Sequence, residues 1–365
     1  MYRRWQLFHY QLPLNRPLVL IGGQHHQREG LLLRLEDVVG NVGWGEIAPL
    51  PGLHRESLAT CHEQLLAVLS HKPLPQRLPS LAPTVQFGLD MAQRMLQAQR
   101  DHSTPQDFIR PHVPKLPVNG LVTHDEHDIA TACKRLRASG FRAVKIKVGQ
   151  GVVDEAIARV RAARHHLGPG VELRIDANRA WSWEHACRFA QATQDVAIAY
   201  CEEPLHNSEH VTALNQATGL PLALDETLWQ QPQWLTKPIP GLRALVLKPT
   251  LLGSWETAAH WVRFAKRNGL KIVFSSTFET GLGTFWVAMM ALASLAHPVP
   301  CGVDTYCRLA EDVLTEPLAF HNGHVYLPQE WPKVRTCRLD KVQEGYTEVN
   351  HKARDAIELY YGSPH

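Results

Sequence analysis

Counting along the chain from Lys147, ionisable residues at the ends of short apolar runs recur at Asp176, Glu202, Asp225 and Lys248, at intervals of 29, 26, 23 and 23 residues. An interval of that size is one strand, one helix and two loops, so the rhythm describes consecutive βα units. It extends in both directions. Upstream, Leu116-Pro-Val-Asn-Gly120 predicts a strand ending at Asn119, 28 residues before Lys147. Downstream, Lys271-Ile-Val-Phe-Ser275 and Cys301-Gly-Val-Asp304 end two more, at intervals of 27 and 29. Eight parallel strands alternating with helices close into a barrel, whose active site lies at the C-terminal rim where each strand contributes one or two residues. The five ionisable positions therefore meet at one mouth. In the strand Ala143 to Gly149, the period of two puts Lys145 and Lys147 on the same face, opposite Val144, Ile146 and Val148.

At 365 residues the chain is long enough for a barrel and a second unit. Helices are expected over about 125–139, 152–166, 182–194, 208–218, 254–268 and 281–296, filling the gaps between barrel strands. After Asp304 the alternation stops, so the fold class is α/β, a (β/α)8-type barrel modified to (β/α)7β. Ahead of it, residues 4–10, 17–21, 31–36 and 42–46 read as an antiparallel meander, with 22–30 as a polar loop bounded by glycines. Helices at 55–71 and 84–99 follow, the second with a stripe at Val85, Leu89, Ala92 and Leu96. The expected organisation is an α+β capping domain over 1–110, the barrel over 111–310, and a tail over 311–365. Strand chemistry in that tail, including a hairpin at 320–326 turning on Asn322-Gly323, is expected to return to the capping domain.

Composition excludes several classes. A net charge of +3 with 20% charged residues offers no field for nucleic acid. The longest apolar run, Phe285 to Ala296, is too short to span a bilayer. Seven cysteines without CxxC spacing read as reduced thiols, and with no leader-type N-terminus a cytoplasmic location is expected. The 21 histidines are scattered, and the pairs His25-His26 and His165-His166 lack metal-ligand spacing. The expected partner is a small-molecule substrate.

Three carboxylates from adjacent strand ends, with no His or Cys among them, make an oxygen-only site suited to a hard divalent cation, Mg²⁺ first and Mn²⁺ second. A salt-bridged rim without a metal is the alternative; Glu202-Glu203 and Asp225-Glu226 weigh against it, since they bring more negative charge than the lysines offset. Lysines on either side of such a cation suggest proton transfer at carbon. The cation acidifies a proton α to a carboxylate, and a lysine desolvated in the same mouth has its pKa lowered towards that of a base.

Lys145-Ile-Lys147, Leu173-Arg-Ile-Asp-Ala-Asn-Arg-Ala-Trp181, Glu202-Glu-Pro204, Asp225-Glu226 and Lys248-Pro-Thr250 resemble the enolase superfamily, in its muconate-lactonizing branch with paired lysines. Within it, the Asp-Ala-Asn-Arg-Ala-Trp run, Gly253-Ser254 after Lys-Pro-Thr, Ser275-Ser-Thr-Phe-Glu279 and Gly302-Val-Asp-Thr305 are similar to the o-succinylbenzoate synthases. The resemblance implies that Asp176, Glu202 and Asp225 are the metal ligands; spacing alone leaves Glu203 and Glu226 open. It implies a syn-dehydration of 2-succinyl-6-hydroxy-2,4-cyclohexadiene-1-carboxylate to 2-succinylbenzoate, a step of menaquinone or phylloquinone synthesis. Lys147 would take the α-proton, Lys248 would stabilise the enediolate, and Lys145 would contact the substrate carboxylate. Arg174 would tune the field around Lys147 or form a barrel salt bridge, while Ser275 and Gly302 would approach the succinyl arm.

Gly281-Leu-Gly283 could open a helix whose N-terminus faces an anion. The loop at 22–30 and Gly43-Trp-Gly-Glu-Ile-Ala-Pro49 are expected to close over the substrate, although Gly45-Glu46 reads first as a strand end with no such contact. Competing readings are an N-acylamino acid racemase, a dipeptide epimerase or a muconate cycloisomerase on the same residues, and more remotely a non-catalytic metal-binding barrel.

Overall fold

The computed structural model describes residues 2–20, 23–70, 81–104, 107, 114–233, 235–237 and 239–338. The chain opens with β1 (Arg4–Leu20), β2 (Gly23–Glu36) and β3 (Val42–Ile47) in one antiparallel sheet. The two expected strands at 4–10 and 17–21 are one long strand, with a register shift between Pro13 and Leu18. Residues 23–30, expected to be a loop, are strand: Gly30 pairs with Tyr10 and Gly23 with Leu20. Their polarity misled because this end of the hairpin is a two-stranded ribbon beyond the reach of β3, with most of its side chains in solvent.

Ser57 starts α1 (Leu58–Leu69) by accepting from the Thr60 N–H, and Pro83 starts α2 (Pro83–Arg100). The apolar stripe of α2 packs on Leu31, Leu33, Leu35 and Ile47 of the sheet. Glycine is required where β3 meets α2, since a Cβ on Gly45 would lie 2.0 Å from the Gly88 carbonyl oxygen.

The barrel follows as β4 (Lys115–Pro117), β5 (Gly120–Val122), α3 (Ile129–Ala138), β6 (Ala143–Lys147), α4 (Val153–Leu167), β7 (Glu172–Asp176), α5 (Trp183–Ala192) and β8 (Ile198–Glu202). It continues through α6 (Val211–Thr218), β9 (Leu222–Leu224), α7 (Glu226–Gln230), β10 (Leu242–Leu247), α8 (Pro249–Leu252), α9 (Trp255–Arg267), β11 (Lys271–Phe274) and α10 (Gly281–Ser294). Strands β5 to β11 form one parallel sheet in chain order. Parallel bridges from Ser275 to Gly302 and from Cys301 to Val118 carry the sheet back to its first strand, so a two-residue eighth strand closes the barrel. A 3₁₀ turn at Asp304–Arg308 stands where an eighth helix would be. The first strand does not stop at Asn119 as expected; it breaks there and resumes to Val122.

The tail forms β12 (Phe320–His321), β13 (His324–Tyr326) and α11 (Leu327–Val334). Its turn is Asn322-Gly323, both with positive φ, as the sequence indicated. The hairpin does not rejoin the cap sheet: Val325 pairs with Leu116 of β4 at the N-terminal end of the barrel. The apolar face of Val325, Leu327 and Val334 belongs to the barrel core, which explains the placement. Of the described residues after Asp304, the segment around Leu309 is the part that reaches β1, through Leu14↔Leu309 and the Ala310 N–H to Pro13. The rest of the expected tail, 339–365, lies outside the described residues.

Two buried side chains latch the cap to the barrel. Arg28 of β2 donates to the Phe278 carbonyl at 2.9 Å and to those of Ala48 and Pro49. Glu46 of β3 accepts from the Tyr10 hydroxyl at 2.6 Å, the Thr280 N–H at 3.0 Å, the Thr280 hydroxyl at 2.6 Å and the Gly283 N–H at 2.9 Å. The anion at the start of α10 is thus the protein's own, joined by Asp312, which accepts from the Gly281 N–H at 3.0 Å. Glu46→Ala leaves four buried donors without their acceptor, and urea unfolding should show a loss of about 3 kcal/mol or more; an unchanged midpoint would mean that the latch carries no weight.

Candidate functional site

The C-terminal ends of the barrel strands open into a cavity of about 760 Å³. Its floor is charged, with Lys145, Lys147, Asp176, Glu226 and Lys248 among the lining residues, and its roof is apolar, from Pro17 to Leu20 of β1 together with Gly52 and Leu53. The roof is therefore the end of β1 and the segment after β3; neither the 23–30 stretch nor the 43–49 run, which is buried strand and the cap latch, is among the lining residues.

The residues that the chain spreads over a hundred positions come together here. In β6, Lys145 and Lys147 share the inward face. Asp176 ends β7 in register with Glu202 at the end of β8, and Asp225 follows β9. The Lys145 Nζ stands 3.2 Å from both carboxylate oxygens of Glu202 and 3.4 Å from Asp176. Lys248 forms an ion pair with Asp225, whose two oxygens nonetheless lack a properly directed hydrogen bond. The Lys147 Nζ donates to Asn178 Oδ1 at 3.2 Å, and its nearest carboxylate oxygen, on Asp176, is 3.9 Å away. Among the described residues, no three His, Cys, Asp or Glu side chains stand close enough to hold an ion as arranged. The lysine ammoniums stand against their oxygens instead.

The electrostatics follow from burial of like charges. Burial and the neighbouring Asp176 push the Glu202 carboxyl well above its ordinary range, against the pull of Lys145. Burial also raises Asp176, but Lys145, Lys147 and Lys248 outweigh it and hold that group low. Lys145 and Lys248 are both amines buried beside carboxylates. Burial does push both down, but Glu202 and Asp176 around one and Asp225 and Glu226 around the other reverse the shift, so both are held charged. Burial and Asp225 raise Glu226 to about 8. His124, in the cavity wall, is lowered to about 4 by burial and by Lys147, and is neutral at pH 7.

Ser275 and Gly302 line the cavity on adjoining strands. A Cβ on Gly302 would meet the Ser275 hydroxyl at 2.6 Å, which explains the glycine. Arg174 does not reach the cavity. Fully buried inside the barrel, it donates to Glu172 at 2.8 Å, to Asn119 Oδ1 at 3.0 Å and to the Pro300 carbonyl at 2.6 Å, with its guanidinium 5.4 Å from the Tyr200 ring. Its place two residues before Asp176 set the right face but one layer too deep. Sequence reasoning missed Asn178, His124 and the Arg308–Asp125 pair, all lining the cavity. His124, Asp125 and Asn178 lie on loops just past a strand end and Arg308 ends the 3₁₀ turn after the eighth strand, positions that a count of strand ends does not sample.

The family described as Enolase C-terminal domain-like matches residues 128–331, and MenC, N-terminal domain, matches residues 2–96. The chain is 31% identical over 320 residues to the o-succinylbenzoate synthase of Klebsiella pneumoniae, covering 85% of this chain and 92% of that protein. The chain belongs to the o-succinylbenzoate synthase family of the enolase superfamily.

Another member-like sequence, the chloroplastic protein PHYLLO of Arabidopsis thaliana, is 30% identical over 350 residues; the match takes in 80% of this chain and only 20% of that longer protein. In fold, this o-succinylbenzoate synthase family member superposes on the N-succinyl Arg/Lys racemase of Bacillus cereus with a TM-score of 0.80 at 19% identity, covering 94% of this chain and 98% of the other. No helix among its described residues is long and apolar enough to cross a membrane.

Asp304, in the wall of the cavity, is raised to about 6 from 3.8 by burial, partly offset by the Leu121 N–H that it accepts at 3.1 Å. Because the folded state favours the protonated form, its stabilising contribution is complete below pH 3.8 and is lost as the pH climbs through about 6. Asp304→Asn should therefore remove about 2 to 3 kcal/mol of the fall in unfolding free energy between pH 4 and pH 7. Denaturation profiles of both proteins across that range check it, and parallel profiles would refute it.

Proposed function

We propose that this lyase dehydrates 2-succinyl-6-hydroxy-2,4-cyclohexadiene-1-carboxylate to 2-succinylbenzoate, a step that places it in menaquinone or phylloquinone synthesis. What carries the reading is a pair of lysines, Lys147 and Lys248, on separate strands of one mouth above three buried carboxylates, in a chain of this family. The carboxylates fit a divalent ion by their chemistry. They are oxygen donors only, they repel one another in a buried setting, and both oxygens of Asp225 lack a directed donor. When bound by Asp176, Glu202 and Asp225, Mg²⁺, or Mn²⁺ in its place, would supply the positive charge that makes the proton α to the substrate carboxylate acidic.

The lysines divide the work according to their surroundings. Lys248 is kept as an ammonium by Asp225 and Glu226, which suits a group that stabilises negative charge on the substrate without exchanging a proton. Lys147 stands furthest from the carboxylates and lines the cavity, so it is the amine placed to take the α-proton from C1. The same proton then goes to the departing C6 hydroxyl on that face, which leaves as water as the ring becomes aromatic. Lys145 holds Glu202 and Asp176 in place and faces the substrate carboxylate. The apolar roof covers the ring and excludes water from it.

The assay is the absorbance change on conversion of the cyclohexadiene acid with Mg²⁺; activity on N-acylated amino acids without dehydration would overturn the proposal. Lys147→Ala should lower kcat by a factor of at least about 10² to 10⁴ while leaving the circular dichroism spectrum unchanged; turnover near that of the wild type would remove Lys147 from the role of base. Chelation should abolish turnover and added Mg²⁺ should restore it, and turnover that persisted in chelator would exclude the metal reading.

A further inference from the structure

The sector of the mouth formed by the end of β11, the two-residue strand at Cys301–Gly302 and the break between β4 and β5 carries no lysine. Its uncharged polar lining side chains are Asn119, Ser275, Ser276, Thr277 and Thr305, beside the charged Asp304 and Arg308. Most of their hydroxyl protons are already committed. Ser275 donates to the Gly302 carbonyl at 3.2 Å, Ser276 shares that carbonyl and pairs with Thr305, and Thr277 bonds to Glu279. Asn119 differs. Its Oδ1 accepts from Arg174 at 3.0 Å, and a guanidinium can only donate, so the carboxamide cannot be turned the other way. Arg174 is itself held by Glu172 and by the Pro300 carbonyl, and is completely buried. The amide nitrogen is left with one long contact, 3.4 Å to the Gly120 carbonyl, which spends at most one of its two hydrogens. The Asn119 backbone is pinned as well, its N–H donating to Cys301 at 2.9 Å.

The geometry points to Asn119 as a specificity-determining residue whose Nδ2 donates to an oxygen of the succinyl arm, with Arg174 as the positioning residue that fixes the amide's direction. The inference rests on the dehydration reading above, since it takes the arm from that substrate. It gives Arg174 a part in recognition without contact: the Glu172–Arg174–Asn119 chain carries orientation from the barrel interior to the cavity wall. A directed neutral donor suits the arm because the other cations of the mouth are engaged, Lys145 with Glu202, Lys248 with Asp225, Arg308 with Asp125 and Arg179 with Gln230, while Lys147 is kept for the proton transfer.

The test is a double-mutant cycle on Asn119→Asp and Arg174→Lys, read as kcat and KM for the cyclohexadiene acid and as the dissociation constant of 2-succinylbenzoate by calorimetry. Asn119→Asp is isosteric and can still accept from Arg174, but it removes the donor; KM and the product's dissociation constant should rise by about tenfold or more, with kcat changed less than about threefold. Benzoate, which lacks the arm, should bind both proteins alike as a competitive inhibitor. Arg174→Lys should weaken product binding in the wild-type background and have little further effect when Asn119 is already Asp. Asn119→Ser, which keeps the site polar but shortens it, should follow Asn119→Asp. Unchanged product binding by both Asn119 variants would overturn the assignment, as would equal losses for benzoate; an Arg174→Lys effect of the same size in both backgrounds would leave Arg174 no positioning part. Wild-type protein that failed to convert the cyclohexadiene acid would sink the functional reading itself, a result distinct from any of these.

Discussion

Burying like charges together is the constraint around which this barrel mouth is arranged. Asp176, Glu202 and Asp225 are almost wholly removed from water on adjoining strand ends, and an isolated buried carboxylate is costly unless it is paired. Lys145 and Lys248 answer that cost directly, each against the carboxylates nearest to it. Their pKa values consequently rise where burial alone would lower them. Lys147 is the lysine that this neutralisation leaves least engaged. Charge balance thus sorts three chemically identical side chains into different parts, and the division of labour proposed for them follows from that sorting.

The cap depends on the barrel through a second set of buried charges. Glu46 and Asp312 both sit at the N-terminus of α10, where free N–H groups and the helix dipole favour anions. Arg28 reaches the opposite way, from β2 to the backbone beside Phe278. The segment 275–280 lies between these contacts, so the wall that carries Ser275 to Phe278 is held by the cap as much as by its own strand. Roof and wall of the cavity are in this sense one mechanical unit.

Where the sequence was read wrongly, the reasons are specific. Residues 23–30 are polar and flanked by glycine, yet they form strand because a two-stranded ribbon with water on most sides needs no apolar alternation. The hairpin at 320–326 was recognised by Asn322-Gly323, but its partner could not be, since pairing with β4 depends on where a distant apolar face is left uncovered. The period of two places Arg174 on the correct face but does not choose between its two readings, and the barrel salt bridge with Glu172 is the one found, because alternation gives direction and not depth.

What the sequence determined by itself was the periodic part: the βα rhythm, the strand ends at Lys147, Asp176 and Glu202 with Asp225 and Lys248 one residue past theirs, the shared face of Lys145 and Lys147, and the helices on either side. These are local, since a strand's side-chain period and a helix's apolar stripe are written within a dozen residues. Only the tertiary structure decided what each charge faces. Closure of the barrel through Val118, Cys301, Gly302 and Ser275 joins residues more than a hundred positions apart, packing of the strands sets the direction of Asn119's amide and the pairing of Lys248 with Asp225, and docking of the cap sets the capping of α10 by Glu46. Electrostatic and hydrogen-bond partners depend on separations of a few ångströms, and no spacing along a chain encodes those.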